Sequence, residues 1–156
     1  KYFIKDILKK KKIKSFLKKN INSKTVAIHI RGGDFAYLKS HNVLSQSYYD
    51  NAIKLITKKI RKPKFHVFTN DINFAKNLLK KYSSEYEVLY VKKLNFKDEE
   101  EFSLLSTYKL AIIANSTFSY MSSYLSNSRK MSIAPKEWLL GKKLNKNKRF
   151  KKLYFI

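Results

Sequence analysis

Cysteine is absent from this sequence, so the chain can form no disulfide framework and perform no thiol chemistry. A reducing compartment is therefore favoured, although it is not required. The sequence also lacks an apolar run long enough to span a membrane, and it shows no signal peptide. It begins at Lys1 instead of methionine, and we expect it to be a domain or fragment of a longer protein.

Acidic residues are scarce as well: 11 Asp plus Glu oppose 35 Lys plus Arg, a formal net charge of +24 over 156 residues. This charge predicts affinity for anions, namely nucleotides, acidic lipids or nucleic acids. Most of the basic residues are lysines, whereas proteins that read base edges favour arginine. No zinc-ligand spacing, RNA-binding aromatic motif or basic zipper is present. A basic nucleic-acid-binding domain stays an alternative, but we predict no specific nucleic acid partner.

Hydrophobic periodicity predicts strands that alternate with helices along the chain. The strands are expected at 25–30, 65–69, 88–91, 110–114 and 130–134. The helices are expected at 2–19, at 48–61 with Ser47 as N-cap, from Asn70 or Asp71 to about Tyr82, from Asp98 through Leu105, and from the turn 115–119 through Leu125. This alternation predicts an α/β fold, a Rossmann-like doubly wound parallel sheet. We divide the chain into a basic amphipathic helix and linker (1–24), a Rossmann-like domain (25–140) and a basic C-terminal tail (141–156).

The first helix carries an apolar stripe among lysines. The stripe consists of Ile4, Ile7, Leu8, Ile13, Phe16 and Leu17. A helix of this kind can lie on an anionic membrane. We expect it instead to pack the stripe on the sheet while its lysines stay solvated.

The stretch from Thr25 to Asp34 organises the remainder of the sequence. A short apolar strand ends in Arg31, two glycines and Asp34, and His29 lies just before this end. Open α/β sheets bind their ligands beyond the carboxyl ends of the strands, and the planar guanidinium of arginine suits a phosphate. The alternative is structural: a strand, a Gly-Gly turn and an Arg–Asp ion pair that closes it.

Two other strand ends carry polar residues, Thr69-Asn70-Asp71 and Asn115-Ser116-Thr117, with Ser119 just inside the following helix. Free backbone N–H groups at a helix start, together with hydroxyl groups, bind anions, although the same residue types also serve as ordinary N-caps. In a parallel sheet Arg31 and the turn 115–119 should lie at the same edge. Together they would form a two-sided clamp for a pyrophosphate.

Four segments in this order resemble a known family. His29-Ile-Arg-Gly-Gly-Asp34 is similar to an HxRRxD-type motif, and Phe68-Thr-Asn-Asp71 to a strand-end segment that follows it. Glu101–Ser106 with Ile113–Ser119 resembles a third motif, and Pro135–Trp138 a P-x-x-W segment. Their order and spacing resemble the α-1,2-fucosyltransferases of glycosyltransferase family 11, over roughly residues 25–140.

The resemblance implies a GT-B enzyme with two Rossmann-like domains, of which this chain would be the C-terminal, donor-binding half. Its partners would be GDP-fucose, a galactose-terminated glycan acceptor and an N-terminal domain that is missing here. The implied reaction is inverting transfer of fucose from GDP-β-L-fucose to a galactose hydroxyl. No metal and no cofactor are expected, since GDP-fucose is a donor substrate.

The resemblance also implies a role for each matched position. Arg31 would be catalytic: it would bind the β-phosphate and neutralise charge as GDP departs. His29 would lie near guanine and ribose, and Glu101 would read guanine, unless Glu101 only opposes the helix dipole. The residues expected to contact the donor are His29, Arg31, Asp34, Asn70, Asp71, Glu101, Asn115, Ser116, Thr117, Phe118 and Ser119. Within this set Ser116, Thr117 and Ser119 would hold phosphate oxygens, and Asp34, Asn70 and Asp71 would shape the loop or contact the sugars.

The sequence departs from the family pattern at two places. Gly32 replaces the second arginine of the first motif, which removes a positive charge near the diphosphate, and Tyr120-Met121 replaces an aromatic pair. A noncatalytic GDP-binding fragment is therefore a second alternative. We expect a cytoplasmic protein whose basic surface permits peripheral contact with the inner face of the membrane.

Overall fold

A computed structural model describes residues 2–33, 44–139, 142–143 and 153–156. Asp34, one of the predicted site residues, lies outside the described residues. The helices are α1 Tyr2–Lys9, α2 Lys11–Asn20, α3 Gln46–Thr57, α4 Ile72–Leu78, α5 Asp98–Leu105 and α6 Thr117–Leu125. The strands are β1 Thr25–Ile30, β2 Lys64–Thr69, β3 Val88–Tyr90, β4 Leu110–Ile112, β5 Met131–Ala134, β6 Glu137–Leu139, β7 Lys142–Lys143 and β8 Leu153–Phe155.

Six of the strands form one parallel sheet in the order β3-β2-β1-β4-β5-β8, while β6 and β7 form a separate antiparallel pair. Strand order runs outward in both directions from β1 and β4, which are neighbours at the centre. This is the doubly wound arrangement predicted from the alternation of strands and helices, and the prediction is confirmed. In such a sheet the crevice beyond the carboxyl ends of the two central strands is the usual ligand site.

Every residue of β1 is buried, because helices cover both faces of the sheet. Val26, Ile28 and Ile30 face the core layer that contains α3 and α4. Ala27 faces the opposite layer, where α1, α2 and α5 pack. The alternation of side chains along a strand therefore directs His29, two residues after Ala27, to the same side as α5.

The predicted helix 2–19 is two helices that meet at Lys10, and the prediction of one helix is wrong. The apolar stripe explains the break. Ile4 and Ile7 keep helical spacing, as do Ile13 and Phe16, but the interval between Ile7 and Ile13 does not fit a straight helix. Each helix buries its own pair of residues. The expected packing on the sheet is confirmed for Ile7, Ile13 and Phe16, whereas α1 as a whole packs mainly against α5. No helix in the described part of the chain has the length and apolar character needed to cross a membrane.

The end of the chain also differs from the prediction of a basic tail over 141–156. Leu153–Phe155 forms β8, which pairs in parallel with β5 at the edge of the main sheet. Leu153 is buried in the core, and the N–H of Ile156 donates to the carbonyl of Ala134 at 3.0 Å. A strand of three residues among many lysines has too little periodicity to be recognised from sequence.

Smaller differences concern the ends of elements. Ser45, not Ser47, caps α3, because its hydroxyl accepts the N–H of Tyr48. Asp71 caps α4 as predicted, but the helix ends at Leu78 instead of Tyr82. Strand β3 gives way at Val91 to a 3-10 turn, Val91–Leu94.

Candidate functional site

A cleft opens at the carboxyl ends of β1 and β2, between α5 and the start of α6. Charged, aromatic and polar side chains line it: His29, Arg31, Phe68, Thr69, Asn70, Lys92, Asp98, Glu101 and Phe118. The cleft lies at the carboxyl edge of the sheet, where doubly wound folds bind their ligands, but on the β2 side of the central pair β1 and β4.

Parallel pairing brings the ends of β1 and β4 together. Ile28 of β1 lies opposite Ile112 of β4, and three residues further along each strand come Arg31 and Asn115. Arg31 and Phe118, in the first turn of α6, line the same cleft. The structure therefore places the guanidinium and the start of α6 at one edge of the sheet, as the sequence predicted.

The backbone after β1 is held by the end of β2. The N–H of Gly32 donates to Oδ1 of Asn70 at 3.0 Å, and Nδ2 of Asn70 donates to the carbonyl of Gly32 at 3.2 Å. A Cβ added to Gly32 would lie 2.6 Å from Cδ1 of Phe74, and Gly33 has a φ of +60°. This turn requires glycine at both positions, and Phe74 occupies the space that a side chain at position 32 would need.

The first turn of α6 lacks a side-chain cap among the described residues. Ser116 is the N-cap residue, yet within the described chain its hydroxyl accepts no capping hydrogen bond. The N–H groups of the first helical residues have no acceptor inside their own helix. Ser119 is turned inward, where its hydroxyl donates to the carbonyls of Ala114 and Ser116 at 3.2 and 3.3 Å. Ser119 thus stabilises the turn instead of facing the cleft.

Phe118 is held in a fixed orientation within the cleft wall. Its ring centroid lies 5.5 Å from that of His29, with 31° between the ring planes. Phe102 contacts it edge-on, with centroids 5.4 Å apart and 80° between the planes. Aromatic rings held in this way provide stacking surfaces for nucleobases.

Glu101 is a buried carboxyl group in the wall of the cleft, 5% exposed. Within the described residues, its Oε1 is buried and has no hydrogen-bond partner. Burial raises the pKa of Glu101 to about 7, against the opposing effect of the Lys92 ammonium and with a further rise from the Asp98 carboxylate. A buried acceptor that the chain itself leaves without a donor is a candidate for ligand recognition.

His29 lies deeper in the same wall and is 4% exposed. Burial, with a smaller contribution from the charge of Arg31, lowers the pKa of His29 to about 3. The imidazole is therefore neutral at physiological pH. A neutral imidazole offers one N–H donor and one acceptor nitrogen, and Nδ1 of His29 is buried without a hydrogen-bond partner among the described residues, which suits a polar ligand.

The structure separates the predicted site residues into two groups. His29, Arg31, Asn70, Glu101 and Phe118 line the cleft. Two others hold the frame: Asp71 accepts the N–H of Phe74 at 2.9 Å as the cap of α4, and Nδ2 of Asn115 donates to the carbonyl of Trp138 at 3.2 Å. Ser116 is buried, and Thr117 is exposed at the start of α6.

Two charged residues of the cleft were not predicted as site residues, Lys92 and Asp98, and neither were Phe68 and Thr69. Lys92 follows β3 closely, so the rule that ligands lie beyond strand ends could have identified it. Asp98 was assigned only to the first turn of α5. Among the described residues, His, Asp and Glu form no group of three or more that could bind a metal ion.

The profile of glycosyl transferase family 11 matches residues 1–155 of the chain. An alpha-1,2-colitosyltransferase of Escherichia coli is 28% identical over 127 residues, which cover 78% of this chain and 43% of that protein. The O-antigen biosynthesis glycosyltransferase WbnK of Escherichia coli is 32% identical over 132 residues, 81% of this chain and 42% of that protein. The chain thus spans less than half the length of these relatives.

Among solved structures, a crystal structure of POFUT1 in complex with GDP resembles the chain with a TM-score of 0.51 and 14% sequence identity. The likeness covers 85% of this chain and 47% of that one. At this identity the likeness shows the fold alone. It agrees with the doubly wound sheet described above.

Proposed function

We propose, from the premise that this chain belongs to glycosyl transferase family 11, that it binds GDP-β-L-fucose and serves the inverting α-1,2 transfer of L-fucose to a galactose hydroxyl of a glycan. One observation carries the proposal. A single cleft combines an arginine, the start of a helix and a buried carboxyl group whose Oε1 has no hydrogen-bond partner among the described residues. These are the groups that a guanosine diphosphate requires at its two ends.

The diphosphate end is assigned to Arg31 and the start of α6. During transfer the bond between the fucose anomeric carbon and the β-phosphate oxygen breaks, and its electron pair leaves with GDP. The acceptor oxygen attacks from the opposite face and gives its proton to a base. Because negative charge grows on the phosphate, a guanidinium and helix N–H groups that are already in place lower the barrier most effectively.

The base end is assigned to Glu101, His29 and Phe118. An ionised carboxylate only accepts hydrogen bonds, and guanine offers the ring N–H and the exocyclic amino group side by side. Glu101 can therefore receive both, which satisfies the oxygen that no described residue pairs. The Phe118 ring gives the purine a surface for stacking, and the neutral His29 gives the ribose or the base a polar partner.

The names of the relatives support the linkage and the acceptor class in this proposal. One is named for an α-1,2 transfer and the other for O-antigen biosynthesis, which is consistent with a glycan acceptor. Their length supports a division of labour in which this chain supplies the donor half of a GT-B enzyme. A further domain, together with the acceptor, would complete the active centre.

The first test is calorimetric binding of GDP to the chain and to Arg31→Ala. We expect the variant to lose GDP binding and to keep its fold by circular dichroism, because the guanidinium is the principal cation for the diphosphate. Arg61→Ala, a change at an exposed arginine after α3, is the matched control and should bind GDP as the parent does. Equal GDP affinity in the parent and Arg31→Ala contradicts the phosphate assignment.

The second test separates an active donor half from a noncatalytic GDP-binding fragment. Fucosyl transfer from GDP-fucose to galactose-terminated acceptors is measured with this chain and with a version extended to the length of its relatives. We expect transfer by the extended version. GDP binding without transfer in the extended version would support the noncatalytic alternative.

The proposal includes a cytoplasmic location with peripheral contact to an anionic membrane. It is supported by the exposed lysines of α1 and α2, whose apolar residues Ile4, Ile7, Ile13 and Phe16 are buried while Tyr2 and Phe3 are exposed. Co-sedimentation with vesicles that contain acidic lipids tests it. Binding that disappears at 0.5 M salt is expected, and absence of binding at low salt would contradict it.

A further inference from the structure

Two charged side chains flank Glu101 in the cleft, Lys92 from the 3-10 turn after β3 and Asp98 from the first turn of α5. Nζ of Lys92 and Oδ1 of Asp98 are 3.7 Å apart, and both side chains are largely exposed. An exposed ion pair at this distance is weak. The charges of both residues therefore act on the buried carboxyl group beside them.

The effects of the two residues on Glu101 are opposite in sign. Burial raises the pKa of Glu101 most, the Lys92 ammonium lowers it, and the Asp98 carboxylate raises it. On the β1 side of the cleft lie the neutral His29 and the charged Arg31. The other described residues of the lining carry no charge: Phe68, Thr69, Asn70 and Phe118.

The protonation state of Glu101 decides which base it can recognise. The ionised form presents two acceptors, which match the two neighbouring donors of guanine. The protonated form presents one donor and one acceptor, which match the ring nitrogen and amino group of adenine. With a pKa of about 7, Glu101 lies close to the boundary between the two forms at neutral pH.

We propose that Lys92 and Asp98 set the charge of Glu101 and thereby the preference of this cleft for guanine over adenine nucleotides. The inference rests on the proposed function, because it concerns the base end of the same site. Lys92 and Asp98 are positioning residues in this scheme, since they act through Glu101. Lys92 favours the guanine-binding form and Asp98 opposes it.

The experiment compares the parent chain with Lys92→Met and Asp98→Asn, and with Lys93→Met as the matched control. Lys93 is the next residue, but its ammonium lies over the ring of Tyr90, 5.9 Å from the centroid, and it does not line the cleft. Titration of the Glu101 carboxyl is followed in the ligand-free protein by carbon-13 NMR. GDP and ADP affinities are measured by calorimetry between pH 5.5 and 9.

In the parent we expect GDP to bind more weakly as the pH falls below the midpoint of the Glu101 titration. The ratio of GDP affinity to ADP affinity should decrease over the same pH range. Lys92→Met should move that midpoint upward and weaken GDP binding about threefold to tenfold at pH 7, with affinity recovering by pH 9. Asp98→Asn should move the midpoint downward and strengthen GDP binding at pH 7. Lys93→Met should reproduce the parent profile.

Two results would overturn the inference. One is an unchanged Glu101 titration in both Lys92→Met and Asp98→Asn. The other is a loss in Lys92→Met that is equal at every pH and equal for GDP and ADP, which would indicate direct contact of Lys92 with phosphate. Failure of the parent chain to bind GDP would instead refute the proposed function, and the NMR titration would still measure the coupling between Lys92 and Glu101.

Discussion

Glu100 and Glu101 are neighbours in the first turn of α5, and the fold treats them in opposite ways. Glu100 accepts Nζ of Lys10 at 2.9 Å and the N–H of Lys97 at 3.1 Å. The hydrogen bond from Lys10 and the one from the Lys97 backbone hold the pKa of Glu100 below its usual value. Glu101 faces the cleft, buried and with one oxygen that no described residue pairs, and its pKa is raised to about 7.

Adjacent acidic residues of one helix turn can therefore have different roles, one structural and one in ligand binding. Glu100 joins the corner between α1 and α2 to the first turn of α5, and both of its oxygens have donors within the chain. Glu101 is destabilised by its surroundings, which is the condition in which a ligand gains most by supplying the missing donors. Substitutions at Glu101, Glu100 and His29 test this division.

Glu101→Ala should weaken GDP binding about 100-fold, since two hydrogen bonds to a charged group are lost, while ADP binding changes little. Calorimetry with both nucleotides at pH 8 measures the ratio. If GDP remains preferred over ADP to the same degree as in the parent, Glu101 does not read the base and the contrast with Glu100 has no functional meaning.

Glu101→Gln should stabilise the ligand-free protein by about 1–2 kcal/mol at pH 8. The folded pKa of about 7 lies above the unfolded value, so the folded state binds more protons and parental stability falls as pH rises from about 4.3 to about 7. Urea unfolding at pH 4 and pH 8 measures this, and the difference between parent and variant should vanish at pH 4. If the free energies of unfolding of parent and variant differed by the same amount at both pH values, ionisation of Glu101 would not be the cause of the difference.

Glu100→Gln should have the opposite effect on stability. It should lower the free energy of unfolding by about 0.5–1 kcal/mol at pH 7, or the Tm by about 2 °C. Because the pKa of Glu100 is lowered by folding, its contribution is present at neutral pH and is lost as pH falls through the folded value. GDP affinity should stay within about twofold of the parent, since this carboxylate faces away from the cleft. A larger loss of affinity would place Glu100 in the site.

His29→Gln should leave the pH midpoint of GDP binding unchanged, although affinity falls by a similar factor at every pH. With a pKa of about 3, His29 does not titrate between pH 5 and 8 and cannot contribute to the profile. Calorimetry over this range, compared with the parent, measures the midpoint. A shift of the midpoint would indicate that protonation of His29, and not of Glu101, causes the pH dependence of GDP binding.

The candidate site was largely predictable because the rule about strand ends needs only the order of elements along the chain. Arg31, His29 and Asn70 were identified from their positions at the ends of two strands, and the structure brings them into one cleft. Ser119 was expected to hold a phosphate oxygen but donates to carbonyls of the frame, whereas Asp71 caps α4, as the sequence also predicted. The direction of the Ser119 side chain follows from helix geometry at the first turn, which sequence patterns do not resolve.

The errors in the predicted fold have a different cause. They occur where contacts with distant parts of the chain override the structure that the local sequence pattern favours. The break at Lys10 lets α1 pack its apolar pair mainly against α5 while α2 buries Ile13 and Phe16 in the core layer on the sheet. Leu153–Phe155 becomes a strand because β5 offers it an unpaired edge. Neither partner lies nearby in the sequence.

By itself the sequence determined the doubly wound sheet and the set of polar residues beyond its strands, because both depend on periodicity and on the order of short segments. Tertiary packing was needed to bury Oε1 of Glu101 with no hydrogen-bond partner among the described residues, to pair Glu100, and to bring Lys92 and Asp98 into the cleft with Glu101. Burial and electrostatic interaction depend on distances between atoms of different elements. Those distances exist only once the helices have packed against the sheet.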